Sequence, residues 1–200
     1  MRDTKPEESA AAYERSLKGL EVLWKEAPED LGYRRDLANT RLGYAIALGK
    51  LQRYKPALAE LDLAIPYYRE ILKQDPNRQV IQQDLFDGLL ALGKIQMASS
   101  DYDAARQSLQ ESLSLAQTLS RMSNAGLYEE RCLALAEAAM GDLEATLHHP
   151  SEANTHYANA WPFGQMEKQK SRGRLRVDSG TECSKGEGCS GFQSQMIHDP

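Results

Sequence analysis

The sequence predicts an all-α protein, a solenoid of antiparallel helix pairs followed by a tail of different composition. Three observations carry that expectation. No segment alternates apolar and polar residues with period two over a strand's length. Apolar residues recur instead at the three-and-four spacing of amphipathic helices. Several residue classes also repeat at a single period of 48 residues, the signature of a repeat architecture. Ala57, Ala105 and Ala153 share that period, each followed four residues later by a bulky residue: Leu61, Leu109 and Tyr157. So do Tyr44-Ala45, Leu92-Gly93 and Met140-Gly141, each a large residue followed by a small one. Pro28 and Pro76, and Asp36-Leu37 and Asp84-Leu85, agree, with Cys132-Leu133 as a degenerate third copy.

Each unit reads as a helix A and a helix B. After a disordered start over 1–6, residues 7–26 match a B helix, with Tyr13 at the position of Leu61. No A helix precedes it, so its apolar residues Tyr13, Leu17, Leu20, Val22, Leu23 and Trp24 exceed what one neighbour covers. Such patches invite association, so the expectation is a chain that begins mid-unit and self-associates through residues 7–26. Helix A of the first complete unit spans 31–51 on Leu37, Leu42, Tyr44, Ala45 and Leu48. A break falls around GKLQR. Helix B follows over 54–74, with Pro56 tolerated in its first turn because the missing N–H has no partner there. Its inner face is Ala57, Leu61, Ala64, Ile65, Tyr68 and Leu72, and it ends before Pro76, which cannot continue it. The period then places helices over 79–98, 102–121, 127–146 and 151–161.

Beyond Trp161 the periodicity stops. Residues 162–200 hold six of the 14 glycines and few Leu, Ile, Val or Phe, too little apolar surface to offset chain entropy. They read as a disordered, low-complexity tail.

Bulk composition narrows the function. With 41% hydrophobic and 26% charged residues the chain can bury a core. Its net charge of −5 disfavours a general nucleic-acid binder. Every apolar stretch is broken by charges well short of the roughly 20 residues a bilayer needs, and MRDTKPEES lacks the apolar core of a signal peptide. Three cysteines make no disulfide framework. The expectation is a cytoplasmic protein that binds neither nucleic acid nor membrane.

Candidate chemical motifs dissolve on inspection. GEGCSG (186–191) fits a dinucleotide fingerprint in spelling, but the strand before it and the helix after it are missing. YRRDLANTR (33–41) has Arg41 where a kinase catalytic loop needs its metal-binding asparagine, and its core recurs 48 residues later as QQDLF. His148, His149 and His156 have no cysteine or carboxylate immediately beside them to complete a zinc shell. Cys183 and Cys189, with His198, lack the spacing of structural zinc pairs, and Cys132 reads as a core filler. KQKSRGRLR (168–176) is a basic run without aromatics for base stacking. No catalytic residue, metal or cofactor is expected.

Leu89-x2-Leu92-Gly93 followed by Ala105-x3-Leu109 resembles the tetratricopeptide repeat, whose pattern is W-x2-L-G-x2-Y, A-x3-F, P. The likeness covers roughly residues 7–161. It departs in having units of 48 rather than 34 residues and no opening tryptophan, and a HEAT-like solenoid, with repeats near 47, stays open. Arg35-Asp36-Leu37-Ala38 and Asp75-Pro76 are similar to the long repeats appended to bacterial serine/threonine protein kinases. The resemblance implies a right-handed superhelix whose A helices line a concave surface. It further implies that positions two, five, nine and twelve of each A helix face that groove. These are Asn39, Leu42, Ile46 and Gly49; then Asp87, Leu90, Lys94 and Met97; then Leu135, Ala138, Asp142 and Ala145. Chaperone-binding members hold a peptide carboxylate with lysine and asparagine at positions five and nine, where this chain has Leu42, Ile46 and Leu90. The implied function is a non-catalytic scaffold that binds another protein or a peptide. The alternative is a regulatory or sensor segment detached from such a kinase.

Overall fold

The computed structural model describes residues 5–122 and 125–160. The expected tail at 162–200 and most of the expected disordered start lie outside them. Among the described residues there are seven helices and no strands: α1 Pro6–Glu26, α2 Leu31–Lys50, α3 Tyr54–Gln74, α4 Gln79–Ala98, α5 Tyr102–Ser120, α6 Leu127–Thr146, and α7 over 150–160. None of the helices is long and apolar enough to cross a membrane.

Local chemistry sets the ends. Pro6 opens α1 where its missing N–H costs nothing, with Glu7 and Glu8 against the positive end of the helix dipole and Lys25 at the negative end. The Asp30 carboxylate caps α2 by accepting from the Gly32 and Tyr33 amides at 2.7 and 3.2 Å. Glu129 caps α6 from inside, reaching back to the Gly126 amide at 2.8 Å. The three A–B turns are copies of one another. Gln52, Ser100 and His148 each adopt a positive φ of 58°, 66° and 62°. In each case the amide one residue further on closes onto a carbonyl of the preceding helix: Arg53 on Leu48, Asp101 on Gln96, His149 on Glu144. This is a Schellman closure made without glycine.

Consecutive helices pack in order from α1 to α6, and α2 also meets α4, as α4 meets α6. That is the pattern of a solenoid, in which each unit touches its neighbours. The packing code read from the sequence is visible as small-against-large contacts. A Cβ on Gly93 would lie 2.6 Å from the Leu109 side chain, and one on Gly141 would lie 2.7 Å from Tyr157. Glycine is required there because the bulky residue of helix B occupies that space. A second series was not foreseen: a Cβ on Gly43 would lie 2.5 Å from Tyr13, on the B helix of the preceding unit. One and two periods on stand Ala91 and Ala139, again small, in the first and second halves of the core. The two middle members of the bulky series, Leu61 and Leu109, share their buried clusters with small residues of the A helix on either side: Ala45 and Ala91 for Leu61, Gly93 and Ala139 for Leu109. α3 runs through Pro66, forgoing one backbone bond, while its buried neighbours Ile65, Tyr67 and Tyr68 hold it to the core.

α1 keeps part of its apolar stripe open. Its contact with α2 buries Ala10 and Leu17 and partly covers Leu20 and Trp24, so only Tyr13, Val22 and Leu23 of the expected patch are exposed. α2 takes up the covered half of the stripe, and Gly43 lets the half-open Tyr13 ring approach it closely.

Ion pairs tie units together. Arg35 on α2 holds Asp84 on α4 at 2.8 Å, so the kinase-like spelling at 33–41 is a lateral link between repeats. Gln79 and Gln83 both donate to Glu129 of α6 at 2.9 Å. Arg41 bridges Glu21 of α1 and Glu60 of α3. Two of the three clustered histidines find buried carboxylates on α6. His156 meets Glu137 at 2.7 Å, and His149 meets Glu144, which Arg106 also holds.

The bond from Arg106 keeps the Glu144 carboxyl below its ordinary 4.5, against the opposing effect of burial. A folded-state pKa below the unfolded one contributes stability that is present above pH 4.5 and lost as pH falls through the folded value. Glu144→Gln is expected to cost about 1 kcal/mol at pH 7, because Arg106 is partly open to solvent. Denaturant midpoints of the two proteins should converge as pH falls below 4.5 through the folded value of Glu144.

Candidate functional site

Neighbouring A helices leave a groove. Between α2 and α4 lies a cleft of about 670 Å³ lined by both helices and by Tyr54 at the start of α3. α2 and α4 are related by the 48-residue period, so their residues line the groove in paired rows. Asn39 and Asp87 form one end. Leu42 and Leu90, with Gly43 and Ala91 beside them, form the floor. Ile46 faces Lys94 in the next row, and Gly49, Lys50 and Ala98 close the other end. Leu42 and Leu90 are buried, whereas Ile46 is 39% exposed, an apolar side chain offered to whatever enters.

The polar ends are held from behind. The Tyr68 hydroxyl, fully buried in the core, donates to Asn39 Oδ1 at 2.6 Å and so fixes the carboxamide. Asp87 Oδ2 accepts from the Tyr128 hydroxyl of α6 at 3.2 Å. Removal from water pushes the Asp87 carboxyl above its ordinary value, the Tyr128 bond opposes this, and the charge of Asp84 adds to it. Its side chain still meets solvent at the groove mouth, which limits the effect.

Six expected groove residues converge here: Asn39, Leu42, Ile46, Asp87, Leu90 and Lys94, together with Gly49. Three do not. Met97 and Leu135 pack against the second half of the core with Tyr102 and Leu147. Asp142 lies at the α6–α7 contact, where its carboxylate accepts from the Tyr157 hydroxyl at 2.8 Å. Ala145 lines a separate small hollow with His148 and Pro150. Sequence reasoning missed Gly43, Ala91, Lys50 and Tyr54, although the period pairs the first two as small residues. Cys132 is buried in the core, where burial pushes its thiol up to about 11, as suits a filler rather than a nucleophile. Among the described residues no three metal-ligating side chains meet.

The fold and groove define an α-helical repeat protein with a concave cleft between adjacent repeats. No protein-family model matches the chain, and no curated protein sequence matches it. Among solved structures the chain is similar to the crystal structure of BtubC (BKLC) from P. vanneervenii, with 12% identity and a TM-score of 0.57. That likeness covers 98% of this chain and 74% of the other. At this identity the likeness extends to the fold alone.

Proposed function

We propose that the α2–α4 groove holds a peptide segment of another protein, and that the chain acts as a non-catalytic scaffold built from long repeats of tetratricopeptide type. The observation that carries this reading is convergence. Positions singled out on two helices 48 residues apart meet in one cleft with an apolar floor and a few polar groups at its ends. Its volume lies within the range of roughly 300–1,000 Å³ that small binding sites occupy.

Ile46 provides the test because it is exposed and supports little of the core. Peptides selected from a random display library on the intact chain are expected to lose at least about tenfold in affinity to Ile46→Glu, or about 1.4 kcal/mol. Thermal unfolding should stay within about 0.5 kcal/mol of the parent, as for most surface changes. Selected peptides that bind the variant as well as the parent would place the binding surface elsewhere.

A further inference from the structure

The charged side chains of α2 and α4 divide into two groups. Arg34, Arg35, Arg41 and Asp84 are spent in ion pairs with Glu70, each other, or Glu21 and Glu60. Lys50, Asp87 and Lys94 have no ion pair among the described residues, and all three line the groove. The remaining one, Asp36, lies on the α1 side, beside Ser16 and Leu20. The three groove charges are also sorted by sign. Asp87 stands at the end of the groove near Asn39, and Lys94 and Lys50 stand toward the opposite end, with Leu42 and Leu90 between them and Ile46 level with Lys94.

Building on the peptide-binding reading, we infer that the occupant is an extended segment of mixed charge, with a basic side chain at Asp87, apolar side chains over the floor, and an acidic side chain at Lys94 and Lys50. An extended chain is favoured because Asn39 Oδ1 is already occupied by the Tyr68 hydroxyl, which leaves its amide N–H groups to donate. An extended backbone offers carbonyls to such a donor, whereas a helix has spent most of its own internally. The spacing follows from helix rise. Asp87 and Lys94 are seven residues apart on α4, about 10.5 Å, and Lys50 lies level with Ala98, about 16.5 Å from Asp87. At about 3.3 Å per extended residue, the basic and acidic side chains of the occupant are about three to five residues apart. Charge order of this kind sets orientation and rejects like-charged competitors.

The test uses fluorescein-labelled peptides sharing a central pair of leucines with glycine spacers. They are flanked by one lysine and one glutamate, by two lysines, or by two glutamates, and binding to the full chain is read by anisotropy. The lysine–glutamate peptide is expected to bind about tenfold tighter than either like-charged peptide. Lys50→Glu with Lys94→Glu should move the preference to the two-lysine peptide, and Asp87→Lys should move it to the two-glutamate peptide. Asp87→Asn, which keeps an acceptor for Tyr128, should reduce the advantage of the mixed peptide even if Asp87→Lys fails to fold. Equal binding of all three peptides overturns the inference, and if that binding still falls with Ile46→Glu the groove reading survives it. No binding by any peptide overturns both.

Discussion

Tyr68→Ala is expected to lower the unfolding free energy by about 3–5 kcal/mol, the cost of emptying a large aromatic site in a packed core. Tyr68 is fully buried in α3, among residues of α2, α3 and α4, and stands edge-on to Tyr67 with ring centroids 5.8 Å apart. Its hydroxyl is the rear support of the groove through Asn39. Tyr68→Phe separates the two roles. It keeps the ring and removes only the bond to Asn39, whose oxygen can be hydrated from the groove, so it should cost about 1 kcal/mol. Denaturant midpoints at constant slope measure both. A small loss for Tyr68→Ala would mean that α3 is not the element joining the two A helices.

Gly93→Val is expected to cost about 1–3 kcal/mol despite the better helix propensity of valine. The reason is position. The new Cβ would fall 2.6 Å from Leu109 side-chain carbons and 3.3 Å from the Leu109 backbone nitrogen, so α5 must move away from α4. Gly19 is the control, since a Cβ there meets nothing within 4 Å. Gly19→Ala in α1 should stabilise by about 0.5–1 kcal/mol through helix propensity alone. Opposite signs at two helical glycines would demonstrate that close approach, not backbone freedom, requires Gly93. A stabilising Gly93→Val would place Leu109 outside that contact.

The helices and their order were legible because the information is local and repeated. Spacing of apolar residues marks each helix, and the 48-residue period brings Ala57, Ala105 and Ala153 to equivalent places. The groove rows of Asn39 with Asp87, Leu42 with Leu90 and Ile46 with Lys94 follow from the same period. The A–B turns were legible only as breaks. Gln52, Ser100 and His148 take a left-handed conformation that sequence normally signals with glycine, and here the hydrogen bonds of the closed turn hold them instead.

Which side of a helix faces a neighbour is set by how the helices cross, and no single helix encodes that. Met97 and Leu135 occupy groove positions by counting, yet they lie partly buried against the second half of the core and do not line the α2–α4 cleft. Leu17 looks orphaned by counting, yet it is buried against α2, while Tyr13, Val22 and Leu23 stay exposed. Long-range pairing is undetermined for the same reason. Nothing near Arg35 in the chain points to Asp84, or near His156 to Glu137, because each pair meets only after the units stack. The sequence by itself determined an all-α repeat, its helix boundaries to within a residue or two, and the small-against-large code that packs it. The tertiary structure alone decided which charges neutralise one another and which are left facing the groove. That sorting depends on distances between helices rather than on spacing along them.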